Sequence, residues 1–364
     1  MEAATAIFHL DALPSADDRE LFVRGRIMDS PLGKRRGHII MDELKNIAKE
    51  AESILIAGHK RPDGDCVGAC FATYRYLKKI YPEKQIDMYL ETLPEVYSFL
   101  DEDGTIFSAR IKDVRYGLVI ALDSSTADCL GDAENAFYQA KNTFCIDHHI
   151  SNKAYAGQNL INPKASATCE VLYETMPAEE IDFKIAEALY IGIVFDSGVF
   201  RHSNTSKRTM EIAGALMEKG IPFWQYIDKC FYERTYTQTQ LLGRTLLASM
   251  RLMDGKCIVA AITRRMMEFY GAKPEDTEGI VDQLRITKGV EVAILLYEVG
   301  EQQYKVSMRS NDYVDVSKIA SYFNGGGHVK AAGCLMQGSM HDVVNNLTEH
   351  IEMQLRGEEA AEQA

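Results

Sequence analysis

The chain has 364 residues, with 40 lysines and arginines against 53 aspartates and glutamates, for a formal net charge of −13. Its length suggests two domains, because a domain of average size holds about 150 residues. Hydrophobic residues make up 46% of the chain and charged residues 26%, which argues against wholesale disorder. The acidic balance argues against a non-specific binder of duplex DNA, which needs a broad positive surface.

The cellular compartment is indicated by three features of the sequence. Apolar runs such as Ser53–Gly58 and Gly117–Leu122 are too short to cross a bilayer, so no membrane span is expected. The N-terminus has no basic segment leading into an apolar stretch, which argues against a secretory signal. The eight cysteines form no CxxC pair, and Cys70, Cys145 and Cys257 lie in apolar segments typical of reduced thiols. We therefore expect a cytoplasmic protein.

Residues 1–40 show no clear hydrophobic period, and we interpret them as an extension of unknown structure. From Met41 onward, apolar segments of strand length alternate with segments of helical length. The predicted strands are Ser53–Ala57, Ile86–Leu90, Gly117–Leu122 and Thr143–Ile146, and the predicted helices are Met41–Ala51, Val67–Ile80, Ala167–Met176 and Phe183–Ile193. This alternation predicts an α/β domain with a doubly wound, largely parallel sheet. In such sheets functional residues gather at the carboxyl ends of the strands.

The pattern changes in the second half. Thr205–Gly220 is predicted to be a helix that Thr205 or Ser206 caps and Gly220 ends, and residues 221–250 are mostly helical. The remaining elements are the strands Lys256–Thr263, Val290–Val299 and Gln303–Ser307, the helices Val316–Phe323 and His341–Arg356, and the glycine-rich turn Gly325–His328. These elements predict a second, smaller α/β domain with a mixed sheet, and a cleft between the two domains.

Acidic residues and histidines follow four apolar segments of the first domain, at predicted strand ends. They are His59, Asp63 and Asp65 after the first strand, Asp123 after the third, Asp147, His148 and His149 after the fourth, and Asp196 after a long apolar segment. Because parallel strands end at one edge of a sheet, these side chains are expected to converge. Any one of these residues alone is typical of a helix cap or a turn. The occurrence of all four groups in one domain is what indicates a functional site.

Converging carboxylates repel one another unless a cation lies between them. Carboxylate oxygen and imidazole nitrogen without thiolate suit Mn²⁺ or Mg²⁺ better than structural Zn²⁺. We therefore predict a site for two divalent metal ions, with Mn²⁺ preferred and Mg²⁺ as the alternative. Such a pair can activate water and stabilise a displacement at phosphorus.

The order of these motifs resembles the DHH phosphoesterase family, and the second half resembles the DHH-associated domain. The motifs are GHKRPDGDCVGA, ALDSS, IDHHISN and FDSGVFRHSNTS, followed by VSMRS and FNGGGHVKAAG. The resemblance covers about residues 41–355. It implies a DHH catalytic domain over residues 41–235, a helical linker over 236–250, a substrate-binding domain over 251–356 and a tail over 357–364.

The resemblance also implies roles for single residues. One metal is expected to bind His59, Asp63 and Asp123, and the second to bind Asp65, Asp123, His148 and Asp196, with Asp123 bridging. The catalytic candidates are Asp147, which would orient the histidines, and His149, which would contact the scissile phosphate or protonate the leaving oxygen. The implied substrate-binding residues are Arg309, Gly325, Gly326, Gly327 and His328 of the second domain and Arg201 of the first.

The activity implied is that of a soluble metal-dependent phosphoesterase of the nanoRNase and pAp-phosphatase type. Its partners would be short oligoribonucleotides or 3′-phosphoadenosine 5′-phosphate (pAp), with no duplex DNA and no membrane. A cyclic di-AMP or pApA phosphodiesterase is the alternative, and an inorganic pyrophosphatase is a third, weaker one. A nucleotide-binding sensor without turnover is an alternative of a different class. The sequence does not distinguish among these substrates. It also does not distinguish a monomer from a homodimer.

Overall fold

The computed structural model describes residues 31–102, 104–106, 111 and 114–362. The chain divides into two compact units between Glu233 and Arg234. Within the described residues, no helix is both long enough and apolar enough to cross a membrane. All eight cysteines are free thiols, and six of them are buried.

The first domain contains a five-stranded parallel sheet. Its strands are β1 (Ser53–Ala57), β2 (Gln85–Tyr89), β3 (Leu118–Leu122), β4 (Asn142–Asp147) and β5 (Gln158–Ile161). They lie in the order β2-β1-β3-β4-β5. After β2 the chain crosses to the other side of β1, so the connections leave β1 and β3 in opposite directions. The carboxyl ends of β1 and β3 therefore form the switch point at which doubly wound sheets bind ligands.

Helices cover both faces of this sheet. They are α1 (Pro31–Glu50), α2 (Gly64–Ile80), α3 (Glu134–Gln139), α4 (Thr168–Thr175), α5 (Phe183–Asp196), α6 (Lys207–Met217) and α7 (Phe223–Ile227). Buried residues of α2, α4 and α5 form the main core with one face of β1, β3 and β4. The α6 helix begins with a capping box between Ser206 and Thr209, and Gly220 follows its end with a φ of 82°. Of the two predicted caps, Thr205 and Ser206, the structure therefore shows Ser206.

The second domain contains a mixed six-stranded sheet. Its strands are β6 (Met250–Leu252), β7 (Cys257–Ile262), β8 (Val292–Gly300), β9 (Gln303–Ser310), β10 (Gly326–His328) and β11 (Ala331–Gln337). They lie in the order β10-β11-β9-β8-β7-β6, and only the pairing of β7 with β8 is parallel. Its helices are α8 (Tyr236–Leu247), α9 (Arg264–Tyr270), α10 (Ile280–Arg285), α11 (Val316–Tyr322) and α12 (Met340–Glu362).

Helices pack on both faces of this second sheet. Buried residues of α11 and α12 pack on one face, and buried residues of α8, α9 and α10 pack against β7 and β8 on the other. Leu241 of α8, a helix in the segment predicted as a linker, is fully buried in the second of these cores. The predicted α/β class with two sheets, one parallel and one mixed, is confirmed.

Several elements differ from the sequence-based expectation. Asp196 does not follow a strand, because the apolar segment before it belongs to α5 and Asp196 is the last residue of that helix. The predicted turn at Gly325–His328 is largely strand β10, paired with β11. The first helix begins at Pro31, ten residues inside the predicted extension, and residues 1–30 lie outside the described part of the chain. The last helix continues to Glu362.

Candidate metal centre

The loop after β1 supplies the first two side chains of the site. His59 lies two residues beyond β1, and its Nδ1 donates to the backbone carbonyl of Lys60 over 2.8 Å. The lone pair is therefore on Nε2, which lies 3.8 Å from Oδ1 of Asp63. Asp63 is also the N-cap of α2, because its Oδ1 accepts hydrogen bonds from the backbone N–H groups of Asp65 and Cys66, each over 3.1 Å.

Asp123 directly follows β3 and lies in the middle of the site. Its backbone adopts the left-handed region with a φ of 53°, and its side chain is buried. Oδ2 lies 3.5 Å from Nε2 of His59, whereas Oδ1 lies 3.7 Å from Nε2 of His148. The hydroxyl of Thr168 donates to Oδ1 over 2.9 Å. The two oxygens of one carboxylate thus face two different imidazoles.

Asp65 lies in the first turn of α2 and is fully buried. Its two oxygens accept hydrogen bonds from the backbone N–H groups of Thr168 and Cys169, over 2.6 and 3.0 Å. Those N–H groups belong to the first turn of α4, whose N-cap residue, Ala167, has no side chain that could accept them. Asp65 therefore caps α4 from a distant part of the chain, and this contact fixes its carboxylate 4.0 Å from His148.

His148 and Asp196 complete the group. His148 follows β4, and its Nδ1 donates to the backbone carbonyl of Ala165 over 3.3 Å, so the lone pair of the neutral ring would be on Nε2. That Nε2 lies 3.0 Å from Oδ2 of Asp196. The structure therefore brings together the carboxylates and imidazoles predicted as metal ligands, which are His59, Asp63, Asp65, Asp123, His148 and Asp196.

The site carries more negative charge than its imidazoles neutralise. Burial lowers the pKa of His148, but the hydrogen bond to Asp196 and the charges of Asp65 and Asp123 outweigh it and raise that pKa to about 10. Burial and the nearby charges of Asp123 and Asp196 raise the pKa of Asp65 well above its usual range. Burial also raises the pKa of Asp196. This imbalance is the condition under which cations bind.

The donor atoms fit hard divalent cations. Both imidazoles direct Nε2 towards carboxylates while Nδ1 is held by a backbone carbonyl, the arrangement that metal-binding histidines usually adopt. Cys66 also lies beside His59, within a group that could hold an ion. Burial raises the pKa of its thiol well above the usual range, and its Sγ accepts a hydrogen bond from the backbone N–H of His59. Burial thus favours the neutral thiol of Cys66, and the other donors of the group are oxygen and nitrogen.

Asp147 and His149 lie at the edge of this group. Asp147 is fully buried at the end of β4, and its Oδ1 accepts hydrogen bonds from Nδ1 of His149 over 2.7 Å and from the backbone N–H of His148 over 2.8 Å. Asn152 donates to the other oxygen over 2.7 Å. The hydrogen bond that His149 donates to Asp147 raises the pKa of His149. The arrangement fixes the ring of His149, which is 43% exposed and presents a free Nε2.

Comparisons with known proteins match both domains of the chain. The DHH family, N-terminal domain, is matched over residues 53–193, and the DHHA1 domain over residues 254–357. The chain contains a DHH domain followed by a DHHA1 domain. Together with the relatives described next, these domains confirm the expected phosphoester hydrolase. The segments matched contain five of the six predicted ligands, with Asp196 three residues beyond the first segment.

Two relatives of this DHH protein carry a named activity. The bifunctional oligoribonuclease and PAP phosphatase NrnA of Thermus thermophilus is 28% identical over 289 residues, covering 78% of this chain and 84% of the relative. The protein of the same name from Bacillus subtilis is 26% identical over 292 residues, covering 78% and 88%. The crystal structure of an exopolyphosphatase-related protein from Bacteroides fragilis superposes with a TM-score of 0.77 at 21% identity, covering 86% of this chain and 96% of its own. It has the same fold.

The DHHA1 domain contains most of the predicted substrate-binding residues. Arg309 lies at the end of β9, with Nε 3.3 Å from Oδ1 of Asp282 and Nη1 donating to the carbonyl of Met308 over 3.1 Å. It lines a cavity of about 490 Å³ together with Gly326. His328 is exposed at the end of β10.

The glycines beside Arg309 differ in what the fold requires of them. A Cβ atom at Gly325 would lie 2.2 Å from the carbonyl oxygen of Gly333, and one at Gly327 would lie 2.4 Å from that of Ala331. A Cβ atom at Gly326 would meet nothing within 4 Å. Two of the three glycines are therefore needed for pairing with β11, and the middle one leaves open space at the cavity.

Three residues of the site were not singled out from the sequence. Thr168 and Asn152 hold the carboxylates of Asp123 and Asp147, and Asp282 pairs with Arg309. Asn152 belongs to the IDHHISN motif, so the sequence pointed to this segment but did not indicate a role for Asn152. The predicted residue Arg201 is exposed in the turn after α5, in the first domain.

Proposed function

We propose that this DHH enzyme hydrolyses the phosphoesters of short oligoribonucleotides and of pAp with two divalent cations. The observation that carries the proposal is the convergence of four carboxylates and two Nε2 atoms at the switch point of the first sheet. The named activity of the two NrnA relatives supports the substrate class.

The ligand assignment follows from the contacts of Asp123. His59 and Asp63 would hold one cation, and Asp65, His148 and Asp196 the other. Asp123 would bridge them, because its two oxygens face His59 and His148 separately. We propose Mn²⁺ for both positions, since the donors are carboxylate oxygen and imidazole nitrogen. When bound, the pair would supply activated water and offset the charge that develops at phosphorus.

The protein side chains around this pair would position the reacting groups. His149 is the proposed catalytic residue, because its free Nε2 can carry a proton to the departing ribose oxygen while Asp147 holds Nδ1. Asp147 is a positioning residue, held in turn by Asn152. Thr168 fixes the orientation of Asp123. In each of these interactions the residue that orients its partner is buried: Asp147 for His149, Asn152 for Asp147 and Thr168 for Asp123.

The DHHA1 domain would bind phosphate. Arg309 keeps part of its guanidinium fork unused after its contacts with Asp282 and Met308, and such a fork suits a pair of phosphate oxygens. The open space at Gly326 admits an anion close to the backbone, and His328 would add a donor. We assign Arg201 to the same substrate from the first domain.

A substrate panel tests this proposal. The purified protein would be assayed with pAp, a trinucleotide, pApA, cyclic di-AMP and pyrophosphate in Mn²⁺. We expect turnover of pAp and the trinucleotide. Preferred turnover of cyclic di-AMP or pApA would support the alternative phosphodiesterase, and preferred turnover of pyrophosphate would contradict the proposal.

A variant separates the enzyme from a nucleotide sensor. D123A should abolish hydrolysis, whereas D42A, which removes a carboxylate that is 70% exposed on α1, should leave it unchanged. A wild-type protein that binds pAp in Mn²⁺ without hydrolysing it would be a sensor, and the enzymatic proposal would then be wrong.

A further inference from the structure

Within the described part of the chain, no helix covers the β9 and β11 portion of one face of the sheet in the DHHA1 domain. Along β9 and β11 every second residue is buried against α11 and α12. On the opposite face, the helices α8, α9 and α10 pack over β7 and β8. The outward residues of β9 and β11 remain partly or largely exposed and line the cavity of about 490 Å³. We call them the open β9–β11 surface, and its residues are Lys305, Ser307, Arg309, Ala331, Gly333 and Leu335.

The two strands contribute different chemistry to this surface. The cross-strand pairs along it are Arg309 with Ala331, Ser307 with Gly333, and Lys305 with Leu335. Both cations therefore lie on β9, whereas β11 offers small or apolar residues. Leu335 is 55% exposed, although it is one of the few large apolar side chains of its strand. A ligand lying along the surface would meet a row of positive charge on one side and an apolar strip on the other.

The distance between the two cationic side chains of this surface is suited to a ligand with more than one phosphate group. Lys305 and Arg309 are four residues apart on one strand, so their Cα atoms are about 13 Å apart. Side chains stand roughly perpendicular to a sheet, so the two cationic groups face different positions along a ligand. This distance exceeds the reach of one phosphate group. A single-stranded nucleotide chain has what the surface requires, since its phosphates repeat along one side and its bases and riboses lie along the other.

We propose that Lys305 and Leu335 form a subsite for a second, more distant nucleotide of an oligonucleotide whose terminal phosphate is held by Arg309. This inference rests on the proposed function and extends it to substrate length. In a chain with a net charge of −13, a local pair of cations is a specific attraction for a polyanion. Both phosphates of pAp are carried by one ribose, so pAp held by Arg309 occupies one nucleotide position, whereas the Cα atom of Lys305 lies about 13 Å farther along the strand. Lys305 therefore distinguishes oligonucleotides from pAp.

The variant K305A tests this subsite. We expect its kcat/KM for an RNA pentanucleotide to fall by about three- to fivefold, the scale of one exposed ion pair, with kcat/KM for pAp unchanged. K305R should restore pentanucleotide turnover. The matched control is K318A, which removes an exposed lysine from α11, a helix on the other face of the same sheet. Equal effects of K305A on both substrates, or no effect on the pentanucleotide, would overturn the subsite.

A binding measurement keeps the subsite separate from the proposed function. A fluorescent RNA pentanucleotide would be titrated into wild type and K305A with metal removed, at several salt concentrations. We expect weaker binding by K305A and a salt slope reduced by about 0.7, the value for one contact to a single strand. This result supports the subsite even if wild type hydrolyses neither substrate. Equal dissociation constants and slopes for the two proteins would contradict it.

Discussion

The Nδ1 atom of His149 lies 2.7 Å from Oδ1 of Asp147, and Asn152 donates to the other oxygen of the same carboxylate. The ring of His149 is therefore held in one orientation by a buried carboxylate. An amide in place of Asp147 has one carbonyl oxygen to accept the bonds that two carboxylate oxygens now receive.

The variant D147N should consequently lower kcat by about 10- to 100-fold, the range seen when groups that orient metal-site histidines are removed. KM for pAp should change little, because Asp147 is fully buried. Steady-state kinetics in saturating Mn²⁺ would measure both constants. If Asp147 acts through His149, the double variant D147N/H149A should be no slower than H149A alone. Multiplied losses in the double variant would contradict that role.

Thr168 provides a second test of positioning. Its hydroxyl donates to the bridging candidate Asp123, and both residues are buried. T168V keeps the shape of the side chain but removes the donor, so we expect kcat/KM to fall by about tenfold, the equivalent of one hydrogen bond to a charged group. T168S keeps the hydroxyl and should retain most of the activity. A T168S variant as slow as T168V would show that the methyl group, and not the hydrogen bond, is what matters.

Metal binding should also raise the thermal stability of the first domain. Without a cation, the buried carboxylates of Asp65 and Asp123 and the half-buried carboxylate of Asp196 repel one another, so ions that bind only the folded state raise Tm. At 100 times the dissociation constant, Mn²⁺ should raise the Tm of the first domain by about 5–10 °C, measured by differential scanning calorimetry.

D123A is the informative control for that measurement. It removes one repelling charge and one ligand, so its Tm in a chelator should not be lower than that of wild type in a chelator, and Mn²⁺ should raise it little. A wild-type Tm that does not respond to Mn²⁺ would contradict the metal centre.

Much of the first domain could be predicted because its strands are buried on both faces. Each of the four predicted strands lies within one residue of the observed one, since a continuous apolar run marks such a strand. The strand β5 was missed because it is four residues long and begins with two polar residues, Gln158 and Asn159. Asp196 was grouped with the residues at strand ends, although the apolar segment before it was predicted as the helix Phe183–Ile193, and the structure confirms a helix, α5, that ends at Asp196.

The partners of the predicted ligands could not be deduced in the same way. Asp65 caps α4 across more than 100 residues of sequence, and it does so because Ala167 leaves the first turn of that helix without a local acceptor. Thr168, in the first turn of the same helix, donates its hydroxyl to Asp123, which is also distant in sequence. Sequence patterns indicate local caps, whereas a cap supplied by a distant helix depends on how the two helices pack.

The glycine run of the DHHA1 domain separates folding from binding at neighbouring positions. Gly327 has a φ of 144°, and a Cβ atom there would lie 2.4 Å from the carbonyl oxygen of Ala331. G327A should therefore lower the free energy of unfolding by about 1–3 kcal/mol, the cost of a strained backbone position. Gly326 has open space around it, so G326A should leave stability unchanged.

If an anion approaches the backbone at Gly326, the effect on substrate binding should be larger for G326A than for G327A, the opposite of the order expected for stability. We expect G326A to raise KM for pAp by about tenfold, because a methyl group would hold phosphate away from the N–H groups and remove about one charge-assisted hydrogen bond. Urea unfolding and steady-state kinetics of the same two preparations would check both halves. A stable G326A protein with the KM of wild type would show that the run serves only the pairing of β10 with β11, and phosphate binding would then rest on Arg309 and His328.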